Sequence, residues 1–187
     1  ARAGLRAGAG LVTLLSPPSA LMVNATHLTA IMLSSVDGPD ELAEAARTAT
    51  VAVIGPAAGV TPQTRANVEA LLNSPARCVL DADALTVCAE DPEALFARLR
   101  PGDVLLLYGP IGAGKTHLAR ALIRARLGAE VDVPSPSFTL VQTYEDPRGD
   151  IWHADLYRLS HPDEVIELGL EAAFASAICL VEWPDRL

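Results

Sequence analysis

One stretch of this 187-residue sequence has residue types and spacing that could do chemistry on phosphate: Gly109-Pro110-Ile111-Gly112-Ala113-Gly114-Lys115-Thr116. Glycines at its first, fourth and sixth positions let the backbone turn N–H groups inward around phosphate oxygens. A helix opening directly after such a loop points the positive end of its dipole at them. The Lys115 ammonium would then reach the β and γ phosphates, and the Thr116 hydroxyl would ligate magnesium. The bland alternative is a Gly-rich turn that merely joins a strand to a helix. Context favours the phosphate loop, because the apolar run 104–108 precedes it and a helical pattern from Lys115 to about Leu127, closed by Gly128, follows. Lys115 is also the only lysine among fourteen Lys and Arg residues. A chain that otherwise uses arginine keeps lysine where a compact point charge must fit between phosphates. The residues predict bound ATP and Mg2+.

Such a loop works with a carboxylate near the metal, normally at the end of a neighbouring strand. Two acids qualify: Asp155, which follows the apolar Ile151-Trp152 segment, and Glu182, which ends the run 178–181. Either is equally readable as a strand-end acid facing water. Trp183, beside Glu182, is a candidate nucleotide contact and also a candidate packing residue; His153 reads as structural. No Ser-His-Asp arrangement and no zinc-ligand spacing is present, which sets those chemistries aside.

The elements that must position these groups alternate between strand and helix. Strands are expected at 11–15, 30–33, 51–54 and 79–80, and helices at 1–9, 40–47, 61–72 and in turns from 83 to 99. Thr61 at the cap and Pro62 at the first turn mark the third helix. The pattern restarts at Pro101-Gly102 with the strand 104–108, the loop and its helix. Then come a Pro/Ser loop 133–138, a strand 139–144, a turn at 146–149 and a return strand 151–156. A helix 160–168 and a buried strand 177–181 complete the reading. The alternation predicts an α/β fold with a parallel or mixed sheet and flanking helices. We expect the helix 92–99 to serve both halves of the chain and the strand 104–108 to extend one sheet.

Half the residues are hydrophobic and a fifth charged, so the chain is an ordered globular sequence. Apolar runs are too short to span a bilayer, and the start, Ala1-Arg2-Ala3-Gly4, does not read as a signal peptide. Cys78, Cys88 and Cys179 are widely spaced, as expected of thiols in a reducing, cytoplasmic setting. The net charge of −9 is spread over both halves. With no basic face, contact with DNA or a membrane surface is not expected, and contact with tRNA is expected only through partners.

Four motifs then carry a resemblance: Gly109 to Thr116, Ser135-Pro136-Ser137-Phe138-Thr139-Leu140-Val141, His153-Ala154-Asp155-Leu156-Tyr157-Arg158-Leu159, and Val181-Glu182-Trp183-Pro184. Residues from about 93 to 187 resemble the TsaE family, P-loop ATPases of bacterial threonylcarbamoyladenosine (t6A) tRNA modification. The resemblance implies ATP hydrolysis that supports protein partners of the TsaB and TsaD type. It implies that Lys115 and Thr116 hold phosphate and magnesium, that the loop 135–139 is switch-like, and that Asp155 and Glu182 serve metal and water. Lys115, Asp155 and Glu182 are thus the expected catalytic residues.

Residues 1 to about 98 are similar to another family, the C-terminal, ribokinase-like domain of ADP- or ATP-dependent NAD(P)H-hydrate dehydratases. The matching segments are 5–12, 53–59 and 79–85, where Asp81 and Asp83 sit at a strand's end and Ala57 replaces a usual glycine. The later family segments, including the loop with its catalytic Asp, are not found. The expected organisation is a partial dehydratase-like segment, 1–98, joined to a C-terminally truncated TsaE-like P-loop domain, 99–187.

Overall fold

A computed structural model describes residues 1–89, 91–161 and 163–187. Glu90, in the expected turns before Leu99, and Pro162, in the expected helix 160–168, lie outside the described residues. The chain divides into two compact units, Ala1–Glu90 and Asp91–Leu187.

The first unit runs α1 (Arg2–Arg6), β1 (Thr13–Ser16), α2 (Leu21–His27), β2 (Met32–Ser35), α3 (Pro39–Ala46), β3 (Val51–Ile54), α4 (Pro62–Leu72), β4 (Arg77–Leu80) and α5 (Asp83–Thr86). β1 pairs with β2 and β3 with β4, both in parallel, as two separate two-stranded sheets. Parallel pairing needs a crossover, and helices supply it in each case. α4 begins where its sequence says it should, since the Thr61 hydroxyl accepts the Thr64 N–H at 3.1 Å. Ala52 and Ile54 of β3 pack on Leu42, Ala46 and Leu71, while Val51 and Val53 alternate outward. The first two strands lie about two residues later than expected. The helix 21–27 has no counterpart among the expected elements; among the described residues no side chain caps it, the usual start signal.

The second unit runs α6 (Pro92–Phe96), β5 (Val104–Leu107), α7 (Lys115–Leu127), β6 (Val141–Tyr144), β7 (Ile151–Asp155), α8 (Asp163–Glu167), α9 (Leu170–Ser176) and β8 (Ile178–Glu182). Its sheet has the order β5-β8-β7-β6, with β5, β8 and β7 parallel and β6 antiparallel to β7 across the expected hairpin. The expected single extended sheet is corrected: among the described residues the strands fall into three sheets, and β5 pairs with β8. The physical reason is that β8, buried at all five positions, takes parallel neighbours on both edges. Phe96 of α6 packs with Leu107, Ala119 and Leu122 in this unit's core.

Side-chain alternation divides that core between the two faces of the sheet. Ile151, Ile178 and Leu180 pack on the α7 side, whereas Ala154, Cys179 and Val181 pack with Leu170 and Ala173 of α9 on the other. Leu170–Ser176 is a second helix beyond the expected 160–168; Gly169, in a left-handed conformation, separates it from α8. A buried ion pair closes the far end of α7. Arg126 Nε donates to Asp146 Oδ2 at 2.6 Å and Nη1 donates to the Leu99 carbonyl at 2.9 Å, tying helix, hairpin turn and the segment after α6 together.

Candidate functional site

Parity along the strands builds the site. On the α7 face, Ile151 pairs in register with Ile178, His153 with Leu180 and Asp155 with Glu182. The face therefore passes from apolar to ionisable toward the carboxyl ends of β7 and β8. β5 ends at the same edge, Leu107 opposite Glu182, and the glycine-rich loop leaves from there. In open α/β sheets this edge is where ligands bind.

The loop's glycines adopt backbone that only glycine takes readily: φ is 141° at Gly109, 80° at Gly112 and 90° at Gly114. Gly114 occupies the cap position of α7, and among the described residues no side chain caps the first turn. The helix thus starts with N–H groups available to an anion. Lys115, in that first turn, is buried. Its ammonium donates to the carbonyls of Gly109 at 2.7 Å and Pro110 at 3.0 Å, and lies 3.8 Å from the centre of the Trp183 ring. Such a cation–π contact contributes about 0.5–2 kcal/mol.

Thr116 sits one residue on, and its hydroxyl donates to Glu182 Oε2 at 2.9 Å. The other oxygen of Glu182 lies 2.8 Å from His153 Nε2. Asp155 is held differently: Ser137 Oγ donates to its Oδ2 at 2.7 Å and the Tyr157 N–H to its Oδ1 at 3.0 Å. Trp183 has φ 58° and ψ 53°, a left-handed conformation unusual for a bulky residue, and its ring meets Tyr157 with centroids 5.0 Å apart. Strain of this kind clusters at ligand sites.

These groups surround a cavity of about 390 Å³, within the range of small-molecule sites, roughly 300–1,000 Å³. Ile111, Gly112, Ala113, Gly114, Lys115, Thr116, Asp155, Glu182 and Trp183 all line it. Gly109 and Pro110 do not line it; their carbonyls hold Lys115 instead. His117, Ser137 and Tyr157 line it as well, beyond the site residues expected from the sequence. Position was the available signal, since His117 follows Thr116 and Tyr157 follows Asp155 by two. His153 is buried beneath the cavity, against Glu182.

Apart from the His117 imidazole, the metal-ligating groups at the cavity are hydroxyl and carboxylate oxygens, the set preferred by a hard cation such as magnesium. Among the described residues no cluster of three or more His, Cys, Asp or Glu could hold a metal by itself. Magnesium is commonly held by one or two protein groups plus a ligand's phosphates, so the oxygen set fits that mode.

A family model described as threonylcarbamoyl adenosine biosynthesis protein TsaE matches residues 86–187. The chain belongs to the TsaE family. Through residues 1–106 it also belongs to a second family, described as NAD(P)H-hydrate dehydratase. The TsaE-family part is similar to the tRNA threonylcarbamoyladenosine biosynthesis protein TsaE of Rickettsia bellii, 43% identical over 93 residues that cover 50% of this chain and 65% of that one. The protein of the same name from Bacillus subtilis is 40% identical over 103 residues, covering 52% of this chain and 63% of that one. The chain thus spans less than two thirds of the length of these TsaE relatives. Among solved structures, Bacillus subtilis YdiB matches at 31% identity with a TM-score of 0.39, covering 52% of this chain and 60% of that one. No helix among the described residues is long and apolar enough to cross a membrane.

Proposed function

We propose that the TsaE-like part, residues 99–187, is a magnesium-dependent ATPase that supports t6A modification of tRNA through protein partners of the TsaB and TsaD type, in the cytoplasm. The observation that carries this reading is the convergence of three groups at one sheet edge: the Lys115 ammonium in a loop of left-handed glycines, the Thr116 hydroxyl on Glu182, and Asp155 in register beside it. The relatives' names place them in t6A biosynthesis, and the acidic chain, net charge −9, suits a protein that leaves RNA contact to its partners.

In this reading ATP enters with its phosphates against the loop. Main-chain N–H groups from Gly112 to Thr116 donate to phosphate oxygens, and Lys115 leaves the Gly109 and Pro110 carbonyls to neutralise the β and γ phosphates. Magnesium, when bound, would neutralise charge on the phosphate oxygens. Thr116 and Asp155 would supply oxygens to it, while the Thr116 hydroxyl donates its hydrogen bond to Glu182 and so turns its lone pairs outward. Water attacks the γ-phosphorus, the bond to ADP breaks, and the water's proton passes to a carboxylate or to the released phosphate. Trp183 and Tyr157 wall the cavity.

A second reading attaches to residues 1–98, the dehydratase-like segment, where the Gly59 N–H donates to Asp83 Oδ2 at 2.8 Å beside the β3 and β4 ends. The test is ATP turnover by the purified chain, with and without TsaB- and TsaD-type proteins, repeated on Lys115→Ala. Magnesium-dependent turnover that rises with the partners and vanishes in the variant supports the first reading. Nucleotide binding that survives in the variant moves the site to the first unit.

A further inference from the structure

His153 is wholly buried next to Ile151, Ile178 and Leu180, on the apolar part of its sheet face, and among the described residues its Nδ1 has no hydrogen-bond partner. An unsatisfied buried nitrogen costs about 1–3 kcal/mol, so an apolar residue would suit this position better if packing alone mattered. What the imidazole provides among the described residues is a hydrogen bond between Nε2 and Glu182 Oε1 at 2.8 Å. Glu182 is itself buried, and it has only two oxygens to place. With Oε1 fixed by His153, Oε2 is left to Thr116, and the Thr116 hydroxyl is left to point its proton inward.

We propose that His153 is a positioning residue for the magnesium ligand, fixing Glu182 so that the Thr116 oxygen faces a divalent cation. The inference rests on the ATPase reading above and adds to it a chain of three residues, His153, Glu182 and Thr116, drawn from β7, β8 and α7. Outer partners of this kind orient ligands, and removing one typically weakens metal affinity about 10–100-fold. Glu182 thereby acts on the cation through Thr116, whereas Asp155, held by Ser137 and the Tyr157 N–H, is fixed independently of His153.

The test compares His153→Leu with His153→Gln in the full chain. The two side chains are close in volume, and only Gln keeps an N–H to offer Glu182. Binding of a fluorescent ATP analogue is titrated with magnesium, and separately without it. The expected result for His153→Leu is nucleotide affinity without magnesium within about two-fold of the parent, and a half-saturating magnesium concentration raised about ten-fold or more; His153→Gln recovers most of that loss. Equal magnesium dependence in parent and Leu variant overturns the proposal, as does equal loss in both variants, which would make volume the cause. Failure of both variants to fold assigns His153 to folding alone and overturns it too. If the parent binds no nucleotide, the ATPase reading itself falls, an outcome distinct from all of these.

Discussion

Thr116 and Glu182, 66 residues apart in sequence, meet through a 2.9 Å hydrogen bond at the edge where β8 ends and α7 begins. That contact exists because β8 is inserted between β5 and β7, so the strand that launches the loop has Glu182 as its register neighbour. Removing the acceptor leaves the hydroxyl free to rotate. Glu182→Ala is expected to weaken magnesium-dependent nucleotide binding about 10–100-fold while magnesium-free binding changes little, as read by titration with a fluorescent analogue.

The ion pair of Arg126 with Asp146 is expected to stabilise the second unit strongly, because both side chains are 2% exposed and neither has water to fall back on. Asp146→Asn leaves a buried guanidinium uncompensated, and a loss of about 3–5 kcal/mol is expected in urea unfolding followed by circular dichroism.

The same pair sets an acid limit. Burial pushes the Asp146 carboxyl up, but the Arg148 N–H and the Arg126 guanidinium outweigh it and hold the group below its ordinary 3.8. A carboxyl with a depressed folded pKa contributes stability that is present above the unfolded value and lost as pH falls through the folded one. The contribution is therefore complete above about pH 5 and declines below 3.8, and the Asp146→Asn variant should lack that decline. Unfolding midpoints measured between pH 6 and 3 check this.

Much of this architecture was legible in the sequence. The strand, loop and helix around Gly109 to Thr116 could be read because glycine spacing and a continuous apolar run are local signals, and the hairpin followed from Asp146-Pro147-Arg148-Gly149. The pairing of β5 with β8 was not legible, because strand neighbours are fixed by which apolar faces remain to be covered and carry no local mark. The same holds for His153. One residue identity says nothing of a contact across strands, and only the register of β7 on β8 brings its ring under Glu182. The 21–27 helix was not legible because, among the described residues, no side chain caps its start.

In the first unit, Gly55 is expected to be the most sensitive backbone position. Its φ of 134° suits glycine alone, and a Cβ there would collide with the Asp81 carbonyl, which belongs to the backbone and cannot swing aside. Gly55→Ala should destabilise the first unit by at least about 2 kcal/mol, measured by hydrogen exchange of the β3 and β4 amides.

Thiol chemistry should separate the three cysteines. Burial in β8 pushes the Cys179 thiol up to about 11, while Cys78 and Cys88 are only half-buried. Since the thiolate is the nucleophile, iodoacetamide at pH 8 should leave Cys179 unlabelled in the folded protein and label it on unfolding, as read by mass spectrometry.

The proposed nucleotide site turns on Lys115, whose ammonium rests on two loop carbonyls and the Trp183 ring. Isothermal titration of the chain with ATP in magnesium tests it most directly. Saturable one-to-one binding in the parent, with no detectable heat of binding in Lys115→Ala of unchanged fold, is the predicted result. Equal affinity in parent and variant would contradict it.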